Sequence, residues 1–165
     1  MKEEKSEDSL QDRALDRVDR RILAALQANG RISNQELAAS VHLSAAQCNR
    51  RHRRLERLGY VKCYEARLDA DRLGLGVTAF VHITMERGQF KEVLKFQRTI
   101  ERMPEILECH AVTGDFDYVC KVVASDLKSL SNFLLGTLAQ LPGVNGVRSS
   151  ICLNELKCTS ALPLE

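Results

Sequence analysis

Residues 33–58 read SNQELAASVHLSAAQCNRRHRRLERL and contain two helix starts of one chemical type. Ser33 is followed three residues on by Glu36, and Ser44 by Gln47. Both spacings fit a capping box, in which the serine oxygen accepts an orphan backbone N–H and the Glu or Gln side chain returns to the serine's own N–H. Only His42-Leu43 separates a first helix, 34–41, from a second, 45–58. Helices joined by so tight a turn cross steeply, as in a helix-turn-helix. The second helix carries Gln47, Asn49, Arg50, Arg51, His52, Arg53, Arg54 and Arg57, donors suited to base edges and phosphates. A solvated basic face is the plainer reading of such a run. Five arginines in residues 50–57 against one acid, placed behind a capped turn, favour double-stranded DNA.

Working outward, Leu15, Val18, Ile22, Leu23 and Leu26 recur at helical spacing from about Asp16, and Asn29-Gly30 supplies a stop. Val18, Ile22, Leu26, Leu37, Val41, Leu43, Leu55 and Leu58 make a small three-helix core. After Gly59, YVKCYEARLD alternates and is rich in strand formers, which predicts a wing hairpin and exit strand. Residues 1–12 are charged and without apolar periodicity, so they read as a disordered tail. The DNA-binding domain is then 13–68, a linker with two glycines covers 69–76, and a second domain fills 77–165.

Net charge over the 165 residues is only +2, but it is unevenly spread. Residues 13–76 hold thirteen Lys and Arg against seven acids, whereas 77–165 hold nine against ten. A basic segment joined to a near-neutral one predicts that the first meets a polyanion and the second does something else. The six cysteines include no C-x-x-C pair and have apolar or strand-like neighbours, so they read as buried, reduced thiols. Cys48 and His52 at i, i+4 are two ligands without a second pair, a poor zinc site, and no metal is expected. No apolar run approaches the ~20 residues of a membrane span. A cytoplasmic protein without a membrane partner is expected.

The second domain repeats a pattern. A strand at 77–86 precedes a helix at 89–102, then Met103-Pro104-Glu105 and a strand at 106–113. A turn at Gly114-Asp115 leads to a strand at 116–124. Asp126 caps a helix bearing Leu127, Leu130, Leu134, Leu138 and Leu141, and Pro142-Gly143 precedes a last strand at 146–158. The order βαββαβ is the ferredoxin-like plan, an antiparallel sheet with both helices on one face. The class is α+β. The other face carries Thr78, Phe80, His82 and Thr84, a semi-apolar row that implies burial against a second copy of the chain.

Thr113-Gly114-Asp115-Phe116-Asp117-Tyr118 is the second candidate site. A hairpin turn presents glycine N–H groups to a carboxylate, and Asp115 or Asp117 accepts from an ammonium, the two ends of a free amino acid. Ordinary turn chemistry explains Gly-Asp equally well. Ser149 and Ser150 on the last strand are candidates to line the same interface. Phe116 and Tyr118 flank the turn, a lean toward leucine, methionine or another apolar side chain. His82 and His110 read as interface or core hydrogen-bonders. No catalytic motif or phosphate-cradling loop appears, so an enzyme is not expected.

Leu15 to Cys158 resembles the leucine-responsive/AsnC (feast/famine) family of transcription regulators. The motifs are LDRVDRRILAALQANGRIS, NQELAASVHLSAAQCNRRHRRLERLGYV, VTGDFDYVCKV and VRSSICLNELK, in this order and spacing. The resemblance implies a winged helix-turn-helix, a homodimer built through the C-terminal sheets and often an octamer. It also implies a small effector, usually an amino acid, bound near the 113–118 segment, and no cofactor. In that arrangement Ser44, Gln47, Asn49, Arg50 and Arg51 lie near the groove, and Arg53, Arg54 and Arg57 face the backbone. Two other readings remain: an effector-independent architectural protein that wraps DNA, and an enzyme or metabolic feedback domain that uses the ferredoxin-like half, with the basic helices incidental.

Overall fold

The computed structural model describes residues 15–86, 88 and 90–164. The expected tail, 1–12, lies outside them. The chain forms two compact units, one holding residues up to Arg67 together with the segment that starts at Lys157, the other Leu68–Leu156.

The first unit is built on three helices. Helix α1 spans Arg17–Ala28 and opens on a capping box that the sequence reading missed: Asp16 accepts the Asp19 N–H at 2.7 Å, and Asp19 accepts the Asp16 N–H at 3.4 Å. Helix α2, Asn34–Val41, carries the expected Ser33–Glu36 box. At α3, Ala45–Arg57, only half of the second box forms, since Ser44 accepts the Gln47 N–H but Gln47 does not return a bond. A neutral amide gains little from the partial positive charge that draws a carboxylate to a helix start. His42 joins α2 to α3 in the left-handed region, φ 58° and ψ 45°, with Leu43 N–H bonded to Ala38 O at 3.0 Å. Gly59, at φ 78°, closes α3.

Ile22, Leu37 and Leu55 are fully buried at the helix crossings, joined by Leu23, Leu26, Ala38, Val41 and Cys48. Each such aliphatic side chain contributes about 1.5–3 kcal/mol by leaving water. Val18 and Leu43 pack at the edge, and Leu58 stays outside the cluster. Residues 60–69 form no strand, so the hairpin expected there is absent within this chain. Tyr64 instead folds back on α3, its hydroxyl donating to Glu56 at 3.0 Å and lying 2.6 Å from His52 Nε2. The segment from Lys157 was expected with the second domain but clusters with the first unit. Its attachments there explain this. The Gln27 side-chain amide clasps Leu162 at both N–H (2.6 Å) and O (3.0 Å), Leu164 packs on the helix core, and Arg67 donates to the Cys158 carbonyl.

The second unit is the βαββαβ arrangement: β1 Val77–Met85, α4 Phe90–Ile100, β2 Ile106–Ala111, β3 Tyr118–Ala124, α5 Leu127–Gly136 and β4 Val144–Ile151. The strands lie in the order β2-β3-β1-β4, all neighbours antiparallel. Ala79, Val81, Ile83, Tyr118, Cys120 and Val122 face α4 and α5, whose Phe96, Ile100, Leu130, Phe133 and Leu134 complete a core with Leu138 of the 3-10 turn that follows α5. Leu94 and Leu127 are 58% and 59% exposed. Phe96 and Ile100, one turn apart, set the buried stripe of α4, which turns Leu94 outward. The last strand ends at Ile151, seven residues short of the expected Cys158. The cysteines divide as well: Cys48 and Cys120 are buried, Cys109 and Cys152 are half-buried, and Cys63 and Cys158 are exposed, against the expectation that all six are buried. Cys63 and Cys158 lie in segments without strand pairing, where no second layer covers them.

Candidate functional site

Two groups of candidate residues occupy the two units. On α3 the eight expected DNA-contacting residues separate into two sets. Gln47, Arg50, Arg53 and Arg57 are exposed, and no ion pair is formed by these three arginines among the described residues. Asn49 is half-buried, and the Ser44 oxygen is occupied as the helix cap. Arg51 and Arg54 turn inward. Arg51 Nη1 reaches Asp16 at 2.6 Å and Asp19 at 2.8 Å, and Arg54 Nη1 reaches the other oxygen of Asp19 at 3.1 Å. Asp19 is 1% exposed, the one buried charged residue among those described.

This cluster joins α1 to the middle of α3 through two forked donors on one carboxylate. A lone carboxylate buried this deeply would be costly, so the two guanidiniums are a condition of its burial. The Asp16 carboxyl is raised by partial burial but lowered more by the Asp19 N–H and by Arg51, and it ends below its ordinary range. Arg51 is in turn held protonated by Asp16 and Asp19. The expectation that Arg51 reads bases and Arg54 holds phosphate therefore meets a competing role. Asp19 and Asp16, from the sequence DRVDR, were the missed partners. Their only sequence signal was the D-x-x-D spacing of a cap.

In the second unit the turn of residues 112–117 closes at the end of β1. Val112 N–H bonds to Asp117 O at 3.0 Å, and Asp117 N–H to Ile83 O at 2.9 Å. Gly114 sits at φ 116°, outside the range that L side chains favour, so the turn requires glycine there. Two adjoining hollows, about 470 and 370 Å³, share Thr84, Asp115 and Asn145. One is lined further by Met85, Glu86, Gly114 and Asp117, the other by His82, Phe116, Gly146 and Arg148. The Phe116 ring stacks on His82 at 4.7 Å, and the Arg148 guanidinium lies 5.8 Å from its centre. Carboxylates thus line both hollows and a guanidinium joins them in one, groups of both signs suited to a zwitterion.

Four of the eight expected effector residues, Gly114, Asp115, Phe116 and Asp117, line these hollows. Asp117 is partly committed, because its carboxylate accepts the Met85 N–H at 2.7 Å and ties the turn to β1. Thr113 is in the turn but lines neither hollow. Tyr118 points to the helix side, stacking on Phe96 at 4.9 Å with its oxygen accepting from Gln97. Ser149 is opposite Val81 and Ser150 opposite Phe80, so the two serines lie on opposite faces of the sheet and cannot share one interface. His82, Thr84, Met85, Glu86, Asn145, Gly146 and Arg148 were not among the expected effector residues; they come from two strand ends, that of β1 and the start of β4.

Open-face residues run Thr78, Phe80, His82 and Thr84 on β1, Val119, Lys121 and Val123 on β3, and Gly146, Arg148 and Ser150 on β4. Phe80 at their centre is 43% exposed. His110, on β2, is exposed and bonds Glu108 at 3.1 Å. No group of three or more His, Cys, Asp and Glu that could hold a metal occurs among the described residues. None of the helices there is long and apolar enough to cross a membrane.

Comparison with known proteins matches both units. Residues 15–62 fit a winged helix-turn-helix DNA-binding family model, and residues 78–162 the Lrp/AsnC ligand binding domain. The leucine-responsive regulatory proteins of Escherichia coli and Salmonella typhimurium are each 42% identical over 151 residues, covering 92% of this chain and 92% of theirs. Among solved structures, a transcriptional regulator of Neisseria meningitidis in complex with L-Met superposes with a TM-score of 0.89 at 38% identity, covering 92% of this chain and 97% of that one. An AsnC family transcriptional regulator of Agrobacterium tumefaciens gives 0.85 at 31%, covering 91% and 97%.

Proposed function

The chain belongs to the Lrp/AsnC family of transcription regulators, and from that premise we propose that a free amino acid, held at the 113–117 turn, adjusts its binding to operator DNA. It is a DNA-binding regulator with a helix-turn-helix unit and a ligand-binding unit. The observation that carries the effector reading is the pair of hollows at the turn. Glu86 and Asp115 suit the ammonium of an amino acid, Arg148 suits its carboxylate, and Met85 with Phe116 offers an apolar wall to the side chain. That wall favours methionine or leucine, in line with the L-Met complex of the neisserial relative and the leucine-responsive name of the enterobacterial ones.

At the DNA, Gln47 and Arg50 at the start of α3 read base edges, with Asn49 beside them and Ser44 at the cap, while Arg53 and Arg57 hold phosphates. Arg51 and Arg54 act chiefly as positioning residues through Asp19. Dimerisation uses the open sheet face around Phe80, His82 and Val119, where the Phe80 ring stands 43% exposed. Dimers assemble further, to an octamer as the family resemblance implies. Effector shifts the population among these assemblies, and thereby the spacing of paired recognition helices. A cytoplasmic location accompanies a role on DNA.

The test is a thermal-shift titration of the full chain with methionine and leucine, repeated on Asp115→Ala and Arg148→Ala. A ligand selective for the folded state at a hundred times its Kd stabilises by about 2.7 kcal/mol. Selective, saturable stabilisation that both variants lose supports the reading. Indifference to all twenty amino acids, with DNA binding intact, favours the architectural protein instead. Phe80→Glu, examined by light scattering, tests the dimer face: an unchanged mass would remove it.

A further inference from the structure

Cys109 on β2 and Cys120 on β3 are direct register partners on the helix side of the sheet. Backbone groups of the odd-numbered β3 residues point to β2, as the Val123 N–H bonded to Glu105 O at 2.9 Å requires. Cys120 therefore turns its own backbone toward β1, and Cys109–Cys120 is a non-hydrogen-bonded pair. Such pairs bring Cα atoms to about 4.5 Å with side chains close together, within the roughly 4.4–6.8 Å that disulfides span. The Cys120 thiol donates to Cys109 Sγ at 3.3 Å. Cys120 is fully buried while Cys109 is part-exposed.

We propose that Cys109 and Cys120 form a thiol pair that hydrogen peroxide oxidises to an intrachain disulfide, clamping the hairpin whose tip is the 113–117 turn. The Cys109 sulfur attacks one peroxide oxygen; an S–O bond forms, the O–O bond breaks, and the leaving hydroxide takes up the proton lost from Cys109 to give water. The Cys120 sulfur then attacks Cys109 sulfur; an S–S bond forms, the S–O bond breaks, and the departing hydroxyl leaves as a second water with the Cys120 proton. The two sulfurs lose two electrons and the peroxide gains them. Local electrostatics favour this order of events. The hydrogen bond from Cys120 brings the Cys109 thiol down to about 7 against its burial, helped by nearby His110, so thiolate is present near neutrality. The same bond and burial push Cys120 up and keep it a thiol.

The clamp is independent of the amino-acid reading, since both readouts below use no effector. The full chain carrying Cys63→Ser and Cys158→Ser, which removes the two exposed thiols, is treated with hydrogen peroxide, alkylated and mapped by mass spectrometry. Four alkylatable thiols should fall to two, with the Cys109 and Cys120 peptides linked and both thiols restored by dithiothreitol. Adding Cys120→Ala should leave Cys109 as a sulfenic acid trapped by dimedone, and Cys109→Ala should leave Cys120 unreacted. Amide hydrogen exchange over 112–117 should slow in the oxidised form. Full alkylation of both cysteines after peroxide, or linkage to any other cysteine or between chains, would overturn the pair. Unchanged exchange would overturn the clamp.

Discussion

Replacing Asp19 by Asn tests whether the α1–α3 ion cluster organises the DNA-binding unit. Asn has the same shape and keeps one acceptor, but its NH2 then faces a guanidinium where the second carboxylate oxygen was. Hydrogen bonds to charged groups contribute about 1.5–3 kcal/mol each, so the contacts to Arg51 and Arg54 set a ceiling of about 3–6 kcal/mol. Two features lower it. The arginine side chains are 32% and 21% exposed and recover water, and Arg51 keeps Asp16. The expected loss is about 2–3 kcal/mol, below the roughly 3–5 of a fully buried pair broken on one side. For a unit of this size that is a fall in Tm of about 8–24 °C. Urea titration of the full chain, with α1 and α3 amides followed by hydrogen exchange, measures it. Asp16→Asn is the control, because Asn caps a helix as well as Asp does and the lost charge is half-exposed; it should cost less than about 1 kcal/mol. An Asp19→Asn loss below about 0.5 kcal/mol, or no greater than that of Asp16→Asn, would refute the reasoning.

Gly114→Ala meets no atom within 4 Å, so its cost is backbone strain alone, about 1–3 kcal/mol; calorimetry should show it in the second unit, with DNA affinity in gel shift unchanged. His42→Gly should stabilise the first unit by about 0.5–1 kcal/mol, because glycine occupies the left-handed turn without the penalty histidine carries, and a urea midpoint that falls would count against it. Burial and the Glu56 carboxylate push the Tyr64 phenol from 10.0 up to about 12. Its folded state therefore keeps the proton longer than the unfolded chain does, so this stabilisation is complete below pH 10 and fades as pH rises toward 12. Phenolate absorbance, compared with Tyr64→Phe, should show the late-titrating group, and its absence would remove the contact. Arg50→Ala and Arg53→Ala should each reduce the salt dependence of DNA binding by about one charge if the side chain holds a phosphate, whereas a base-reading Arg50 should lose affinity on the operator more than on unrelated DNA.

Local chemistry made the helix-turn-helix legible: Ser33–Glu36, the two-residue gap and the arginines all lie within one short window. The ferredoxin-like order was equally plain from Asp126, the two proline breaks and the alternating strands. Partners distant in sequence were not legible. Nothing in DRVDR announces that Asp19 is buried, because its two guanidiniums arrive from 32 and 35 residues away. The effector hollow has the same difficulty, as Thr84, Asn145 and Arg148 look like ordinary strand residues until β1 and β4 pair. Tyr118, Ser149 and Ser150 show a different failure. Side-chain alternation fixes which residues share a face, but not which face is which, and a turn of uncertain length leaves that phase open. At residues 60–69, strand propensity misled because Tyr64 finds its partners on α3 rather than on a neighbouring strand.

Because the segment from Lys157 belongs with the first unit, the sheet domain is, in connectivity, an insertion: the chain enters it near Leu68 and leaves it near Leu156. Two covalent strands, not one, tie the units together. A single proteolytic nick in the linker of residues 68–76 would leave the two fragments held together by the Gln27–Leu162 clasp, the Arg67–Cys158 contact and the packing of Leu164, so the DNA-binding fragment is released when that docking is lost. The clasp of Gln27 on Leu162 thus makes the segment from Lys157 a structural part of the first unit.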